Sequence, residues 1–409
     1  MSSPYAAMRI RDFRLFISAR FCITLAIQIQ AVVVGWQVYE ITKDPLSLGL
    51  IGLAEAIPSI AVSLYAGHVA DVTSRKKIIL ITVSTLVLCS ALLLSFTMNL
   101  GSFLLNYGVM PIYIVIFISG IARGFITPAI FSFMPQLVPR ELYQNAISWN
   151  STLWEMASIG GPPIGGLIYG FFGITAAYSV DVALTIVGLF FVTLVASRPV
   201  PPPSEEQGIV EKIRAGLHFV FRNKIILGAI SLDLFAVLFG GAIALLPIFA
   251  DQILGVGKIG LGFLRSAPGI GALLTALYLT YNPIRKSMGV LLLYSVAGFG
   301  ICMILFALSR NFWLSMGVLA MSGAFDSVSV IIRGTLLQTL TPENMKGRVS
   351  AVNNIFIGSS NEIGSFESGV AARLLGVIPS VIFGGIMTLL VVATTAWKAP
   401  GLRKLQQVK

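Results

Sequence analysis

Ionisable side chains stand inside the most apolar stretches of this 409-residue chain, and they are the residues with the clearest potential for chemistry. Asp326 and Arg333 lie in one such stretch, and Arg123 lies in another, 203 residues before Asp326. A charge in a hydrocarbon environment is costly unless it is paired, reaches the surface or faces water. Carboxylates in this setting can exchange protons, and cations can hold an anionic group of a ligand.

Polar residues recur around these charges at the spacing of a helix. Arg20, Thr24 and Gln28 are four residues apart and therefore lie on one helix face. Four further stripes are Glu55/Ser59/Ser63, Ser151/Glu155/Ser158, Asp326/Ser329/Arg333 and Asn354/Gly358/Glu362. Polar stripes on apolar helices predict a water-filled cavity that these helices line together. The candidates for lining it are Arg20, Gln28, Glu55, Arg123, Glu155, Arg333 and Asn354.

The acidic members of this set suggest proton exchange. We expect Asp326 to take up a proton, with Glu362 and Asp233 as further proton-coupling candidates. Arg123 would tune Asp326 or hold an anionic group of the ligand. The alternative is a static Arg123–Asp326 ion pair that clamps the two halves of the chain. Glu55 and Glu155 could equally be cavity walls or partners of arginines, and Asp181 is expected at the membrane interface.

The composition shows what must position these residues. Hydrophobic residues make up 56% of the chain and charged residues only 11%, and the mean hydropathy is +0.89. An ordinary soluble domain is about 25% charged, so a typical soluble enzyme is excluded. Apolar runs predict an all-α membrane protein with twelve transmembrane helices. They are placed near 13–39, 46–69, 77–97, 110–135, 144–170, 174–196, 224–251, 259–281, 288–308, 312–338, 347–373 and 377–397.

The chain divides into two similar halves. Residues 1–197 and 223–409 each hold six predicted spans, and 198–222 form a polar linker whose 211–221 segment could be an amphipathic surface helix. A shift of 203 residues superposes Gly120 on Gly323 and Pro139 on Pro342, which indicates an internal repeat. Two pseudo-symmetric six-helix bundles follow, an arrangement common in secondary transporters.

The net charge of +11 is interpreted as a topology signal. Twenty of the 28 basic residues fall in segments that share one side of the membrane with both termini. An excess of Lys and Arg marks the cytoplasmic side, so both termini are predicted to be cytoplasmic. The basic charge is then explained without a nucleic-acid partner.

Two motifs lie at defined points of this topology. The first loop on the cytoplasmic side contains Gly67, Asp71, Arg75 and Lys76 in a G-x-x-x-D-x-x-x-R-K-K pattern, in which Asp71 can meet a helix N-terminus. The fifth predicted span contains Gly161, Pro162 and Gly165, whose small residues allow close helix packing and whose proline bends the helix.

These motifs resemble those of the major facilitator superfamily. The runs 228–235 and 341–353 are similar to its enterobactin-exporter-like branch, which includes macrolide-efflux relatives. The resemblance extends from Arg11 to about Trp397 and assigns the gating role to the loop motif. It implies a bacterial inner membrane, alternating access and proton-driven efflux of a siderophore-like or drug-like small molecule.

Other functions lack the residues that they require. Three cysteines inside apolar runs and two separated histidines offer no metal site, and no nucleotide loop or nucleophile–His–acid set is present in the sequence. We therefore expect no enzyme activity, no cofactor and no metal. The expected partners are a small molecule, protons and the lipid bilayer, with the chain a monomer. An uptake carrier and a lysophospholipid flippase stay open as alternatives.

Overall fold

The computed structural model describes residues 4–98, 103–199, 209–282, 284, 287–342, 345–403 and 405. Throughout these residues the secondary structure is helical, with no strand. In lipid, a helix is the form in which a single segment satisfies its own backbone hydrogen bonds. The apolar runs of the sequence therefore become helices, as predicted.

The described residues of the first half form six α-helices. They are α1 Arg11–Thr42, α2 Pro45–Val72, α3 Arg75–Thr97, the short α4 Phe103–Tyr107, α5 Met110–Phe133 and α6 Tyr143–Leu194. Helix α6 includes two predicted spans, and Gly173 separates them with a φ of 85° and a ψ of 175°. Glycine accepts this backbone conformation because it has no Cβ.

The second half begins with the helix of the linker. Helix α7, Ile209–Arg222, covers the predicted amphipathic segment, whereas the proline run 201–203 lies outside the described residues. The remaining helices are α8 Lys224–Gly240, α9 Leu246–Ile248, α10 Gly257–Tyr281, α11 Met288–Leu308, α12 Phe312–Leu340, α13 Lys346–Leu375, α14 Val377–Lys398 and α15 Pro400–Arg403.

Ten helical segments of the described chain are long and apolar enough to cross a membrane. The difference from the twelve predicted spans has two physical causes. One segment, Arg140–Leu194, is 55 residues long and includes both spans that meet at Gly173. Helix α13 is 30 residues long, but polar residues such as Asn353 and Glu362 lower its hydropathy.

The sequence predicts one continuous helix for the seventh span, but in the structure this span is broken. Helix α8 ends at Gly240, a 3-10 turn covers Ala242–Leu245, and α9 leads into a π-helical turn, Phe249–Ile253. Gly364 of α13 approaches the carbonyls of Val237 and Leu238 so closely that a Cβ there would meet them. The hydroxyl of Ser368 donates to the freed carbonyl of Gly241 at 3.0 Å, which compensates for a lost helical hydrogen bond.

The chain forms two compact units. Unit 1 comprises Met1–Lys43, Ala54–Glu205 and Gly257–Ser266, and unit 2 comprises Asp44–Leu53, Glu206–Val256 and Ala267–Lys409. Each unit thus includes a short segment of the other sequence half. In unit 1, Gly262 lies against the backbone carbonyl of Pro162, and in unit 2, Gly49 lies against Gly369. Small residues at these points let the backbones approach closely.

The core of unit 1 is formed by α1, α3, α5 and α6. Phe13, Ile17, Val83 and Phe133 are among its buried side chains. In the described part of unit 2, one smaller apolar cluster joins α8, α11 and α12, and another packs Val220 of α7 against α13.

A buried polar network joins three helices of unit 1. The Gln30 amide donates to Asp181 at 3.0 Å and to Ser90 at 3.2 Å. Asp181 is only 1% exposed, so it is enclosed between helices, and its position at the membrane interface stays a prediction. Its place at the end of an apolar run resembled that of an interface residue, but contact with α1 and α3 covers it.

Candidate functional site

An intramembrane ion pair in unit 1 joins α2 to α5. The guanidinium of Arg123 contacts the carboxylate of Glu55, and the two side chains are 20% and 24% exposed. Half-buried charges of opposite sign lower the cost of placing each of them in an apolar helix. The partner of Arg123 within its own unit is therefore Glu55, a pairing that residue spacing did not predict.

Two glycines on α5 make this ion pair possible. Gly120 lies against the backbone carbonyl of Glu55, and Gly124 lies against Ser59, so a Cβ at either position would clash with α2. The resulting close approach of α2 and α5 brings residue 123 within reach of residue 55. Unit 2 repeats the arrangement, because Gly323 of α12 lies against the backbone of Pro268 in α10.

We expect Gly120→Ala to lower the thermal stability of the purified protein, because its new methyl group would push α2 away from α5. Gly317→Ala on α12 is the matched control, since the space around Gly317 is open and alanine is the better helix former by about 1 kcal/mol. Melting curves in detergent compare the two variants. A Gly120→Ala protein as stable as the control would contradict the close crossing.

A second ion pair, in unit 2, is more deeply buried. Arg333 of α12 contacts the carboxylate of Asp233 on α8, and their side chains are 5% and 9% exposed. Asp233 stands less than two turns before the end of α8 at Gly240. The sequence marks both residues only as separate candidates, Asp233 for proton coupling and Arg333 for the cavity. The structure joins them as direct partners.

Asp326 lies beside this pair in a small cavity between α8, α11 and α12. Its walls are Asp233, Ala236, Val237, Ser295, Val296, Phe299, Phe325, Asp326 and Ser329. The space inside accommodates about one water molecule. Within the described part of the chain we find no ion pair or hydrogen bond to the Asp326 carboxylate. Asp326 is thus an acidic group with a polar neighbour and no cation of its own.

The polar face of α1 lies next to α6 in unit 1. Gly161 contacts the Gln28 side chain, and Gly165 contacts Ile29. The predicted packing face of α6 is thus turned to α1, with Pro162 buried beside it. Arg20, Gln28 and Glu155 are partly buried rather than enclosed, which leaves each of them able to meet a ligand.

Two other candidates lie on α13 in unit 2. Glu362 is partly buried, and its side chain lies near Gly52 at the start of α2. Asn354 is in α13, but its side chain lies outside the described residues. The structure therefore places Glu362 at a contact between helices, away from the residues that line the Asp326 cavity.

The loop motif is described only in part. Gly67 and Asp71 belong to α2, and their side chains lie outside the described residues. Arg75 is buried at the start of α3, and Lys76 donates to the backbone carbonyl of Thr193 at 2.9 Å. The cations of the motif therefore face the protein as well as the adjacent surface.

Sequence reasoning missed one cluster in unit 1. Lys258 at the start of α10 lies 3.7 Å from Glu40 and 4.2 Å from the ring centre of Tyr169, whose hydroxyl donates to Glu40 at 3.0 Å. Glu40 and Lys258 are 218 residues apart, and each looked like an ordinary loop charge. No periodicity could have connected them.

Comparison with known proteins agrees with this architecture. The family model described as transmembrane secretion effector matches residues 2–407. The chain is 25% identical over 397 residues to a protein of Escherichia coli O1:K1 / APEC named enterobactin exporter EntS, covering 97% of this chain and 93% of that one. It is 26% identical over 381 residues to the protein of that name from Shigella dysenteriae serotype 1, covering 93% and 89%.

A solved structure shows the same fold. The crystal structure of the POT family transporter PepTSo superposes with a TM-score of 0.72 at 12% identity, covering 96% of this chain and 98% of that one. The helical architecture, the intramembrane charges and the family match agree with one another. The chain belongs to the transmembrane secretion effector family of the major facilitator superfamily, and it is a multi-pass membrane transporter rather than an enzyme.

Proposed function

We propose that this transporter exports a small amphipathic molecule across a bacterial inner membrane in exchange for protons, by alternating access. The observation that carries the proposal is Asp326, a carboxylate in a largely apolar cavity beside the Asp233–Arg333 ion pair. A proton on Asp326 neutralises the cavity, and its loss leaves one negative charge there. A change of this kind can bias a transporter between two conformations, because a buried charge is costly.

The cargo site that we propose is the polar face of unit 1. Arg20 and Gln28 on α1 and Glu155 on α6 are partly buried, and the Gln28 side chain contacts Gly161 of α6. Arginine can hold an anionic or phenolic oxygen, and the amide and carboxylate supply further hydrogen-bond partners. Two relatives named enterobactin exporters make a siderophore-like cargo the first to test.

The proposed orientation has both termini in the cytoplasm. Twenty of the 28 basic residues then lie on the cytoplasmic side, in agreement with the rule that relates Lys and Arg to topology. The chain acts as a monomer in this proposal, with the lipid bilayer as its environment. Export then means movement from the side of the termini to the opposite side.

Reconstituted protein tests the proposal most directly. Inside-out-oriented proteoliposomes with an acidic interior receive a catecholate siderophore, a macrolide or a lysophospholipid outside. We expect uptake of one of the first two into the vesicle, and its loss when a protonophore collapses the gradient. Transport of the cargo in the opposite direction would indicate an uptake carrier. Lysophospholipid movement that ignores the gradient would indicate a flippase.

A further inference from the structure

We propose that the cavity around Asp326 is also a binding site for one small monovalent cation, Na⁺ being the probe of matching chemistry. The inference rests on the proposed function in one respect, because the cation would compete with the coupling proton for Asp326. The cavity lies wholly within unit 2, between α8, α11 and α12. Its space for about one water molecule is enough for a bare Na⁺, which is smaller.

The polar groups in the cavity wall are all oxygen donors. Two carboxylates, Asp233 and Asp326, and two hydroxyls, Ser295 and Ser329, line it. Hard cations prefer oxygen ligands of this type. The Ser295 hydroxyl donates its proton to the backbone carbonyl of Leu291 at 2.8 Å. The lone pairs of its oxygen are therefore available to a cation.

Ser329 supplies an independent indication of a ligand. It is only 2% exposed, it lines the cavity, and its hydroxyl oxygen makes no hydrogen bond to any described residue. A buried hydroxyl without a partner costs free energy, so such groups normally bind water or an ion. Ser322 of the same helix, by contrast, donates to the backbone carbonyl of Leu319. The Ser329 oxygen is thus open to the cavity.

The local charge favours a single positive charge in the cavity. Arg333 neutralises Asp233 through their ion pair, and Arg333 is absent from the cavity wall. Asp326 adds one negative charge, so the group sums to −1. A monovalent cation balances this charge, whereas a divalent cation would leave an excess of +1 in a largely apolar setting.

The charged groups facing Asp326 also define how protons compete. Helix α8 contributes Asp233 to the cavity wall, and α11 contributes Ser295 as its polar side chain there. Arg333 of α12 lies outside the wall and contacts Asp233. A proton on Asp326 removes the −1 charge that attracts the cation. The apparent Na⁺ affinity should therefore be weaker at pH 6 than at pH 8.5.

The test is binding of ²²Na⁺ to the purified protein, without cargo and without a gradient, at constant ionic strength with choline chloride. We expect saturable binding by the wild-type protein. Asp326→Asn and Ser329→Ala should weaken it, the former by at least about tenfold. Ser322→Ala, a buried serine of the same helix outside the cavity wall, should bind as the wild-type protein does.

Size-exclusion profiles and melting temperatures show whether each variant is folded, and Asp326→Glu provides a second variant that keeps the charge. No saturable Na⁺ binding by the folded wild-type protein would overturn the proposal, as would equal binding by Asp326→Asn. Because the measurement uses neither cargo nor gradient, its failure leaves proton-coupled export standing. Conversely, a failed export assay leaves the binding result unaffected.

Discussion

Replacing Arg333 by methionine is expected to destabilise the protein severely. Asp233, whose side chain is only 9% exposed, would be left as a buried charge without a partner. Breaking a buried ion pair by removing one partner costs about 3–5 kcal/mol. Methionine replaces the aliphatic part of the arginine side chain, so the loss of packing is smaller than with alanine. Thermal unfolding in detergent and the yield of monodisperse protein measure the effect.

Two variants separate charge from packing in this experiment. The double variant Asp233→Asn/Arg333→Met removes both charges and should recover much of the stability that the single variant loses. Arg123→Met breaks the other ion pair, whose side chains are 20% and 24% exposed, and should cost less because water still reaches Glu55. Equal losses for Arg123→Met and Arg333→Met would show that burial does not decide the cost.

Replacing Asp326 by asparagine is expected to abolish gradient-driven export while the protein stays folded. Asparagine has nearly the same shape as aspartate, but it carries no charge and cannot exchange a proton near neutral pH. The cavity of the variant would stay neutral in every conformation. Cargo exchange across proteoliposomes without a gradient should persist, whereas accumulation driven by an imposed pH difference should disappear.

Asp181→Asn is the matched control for this prediction. Asp181 is also a buried intramembrane carboxylate, but it accepts from Gln30 in unit 1, and an asparagine oxygen can accept the same hydrogen bond. We expect Asp181→Asn to keep driven export. Undiminished driven export by Asp326→Asn would remove Asp326 from the coupling mechanism, even if the protein transports the proposed cargo.

Some of the candidate site could be predicted from residue spacing. Asp326, Ser329 and Arg333 stand on one helix face because they are three and four residues apart, and in the structure Asp326 and Ser329 line the same cavity. The 203-residue repeat likewise relates Gly120 to Gly323, and both glycines lie at close helix crossings. Spacing within a helix is a local property, so the sequence displays it directly.

The ion-pair partners could not be predicted in this way. Glu55 and Arg123 are 68 residues apart, and Asp233 and Arg333 are 100 residues apart. Their meeting depends on how closely the helices cross, which the glycines on α5 and the contacts of α8 decide. The same applies to Asp181, whose burial comes from Gln30 and Ser90 on two other helices.

The sequence by itself determined that this chain is a helical membrane protein, which stretches of it are apolar enough to span a membrane, and which faces of the helices are polar. Hydropathy and helix periodicity suffice for this, because in lipid each helix satisfies its own backbone hydrogen bonds. Only the tertiary structure decided the partner of each intramembrane charge, the break after Gly240 and the cavity at Asp326. These features arise from packing between helices that are distant in the chain, where a single Cβ changes which atoms meet.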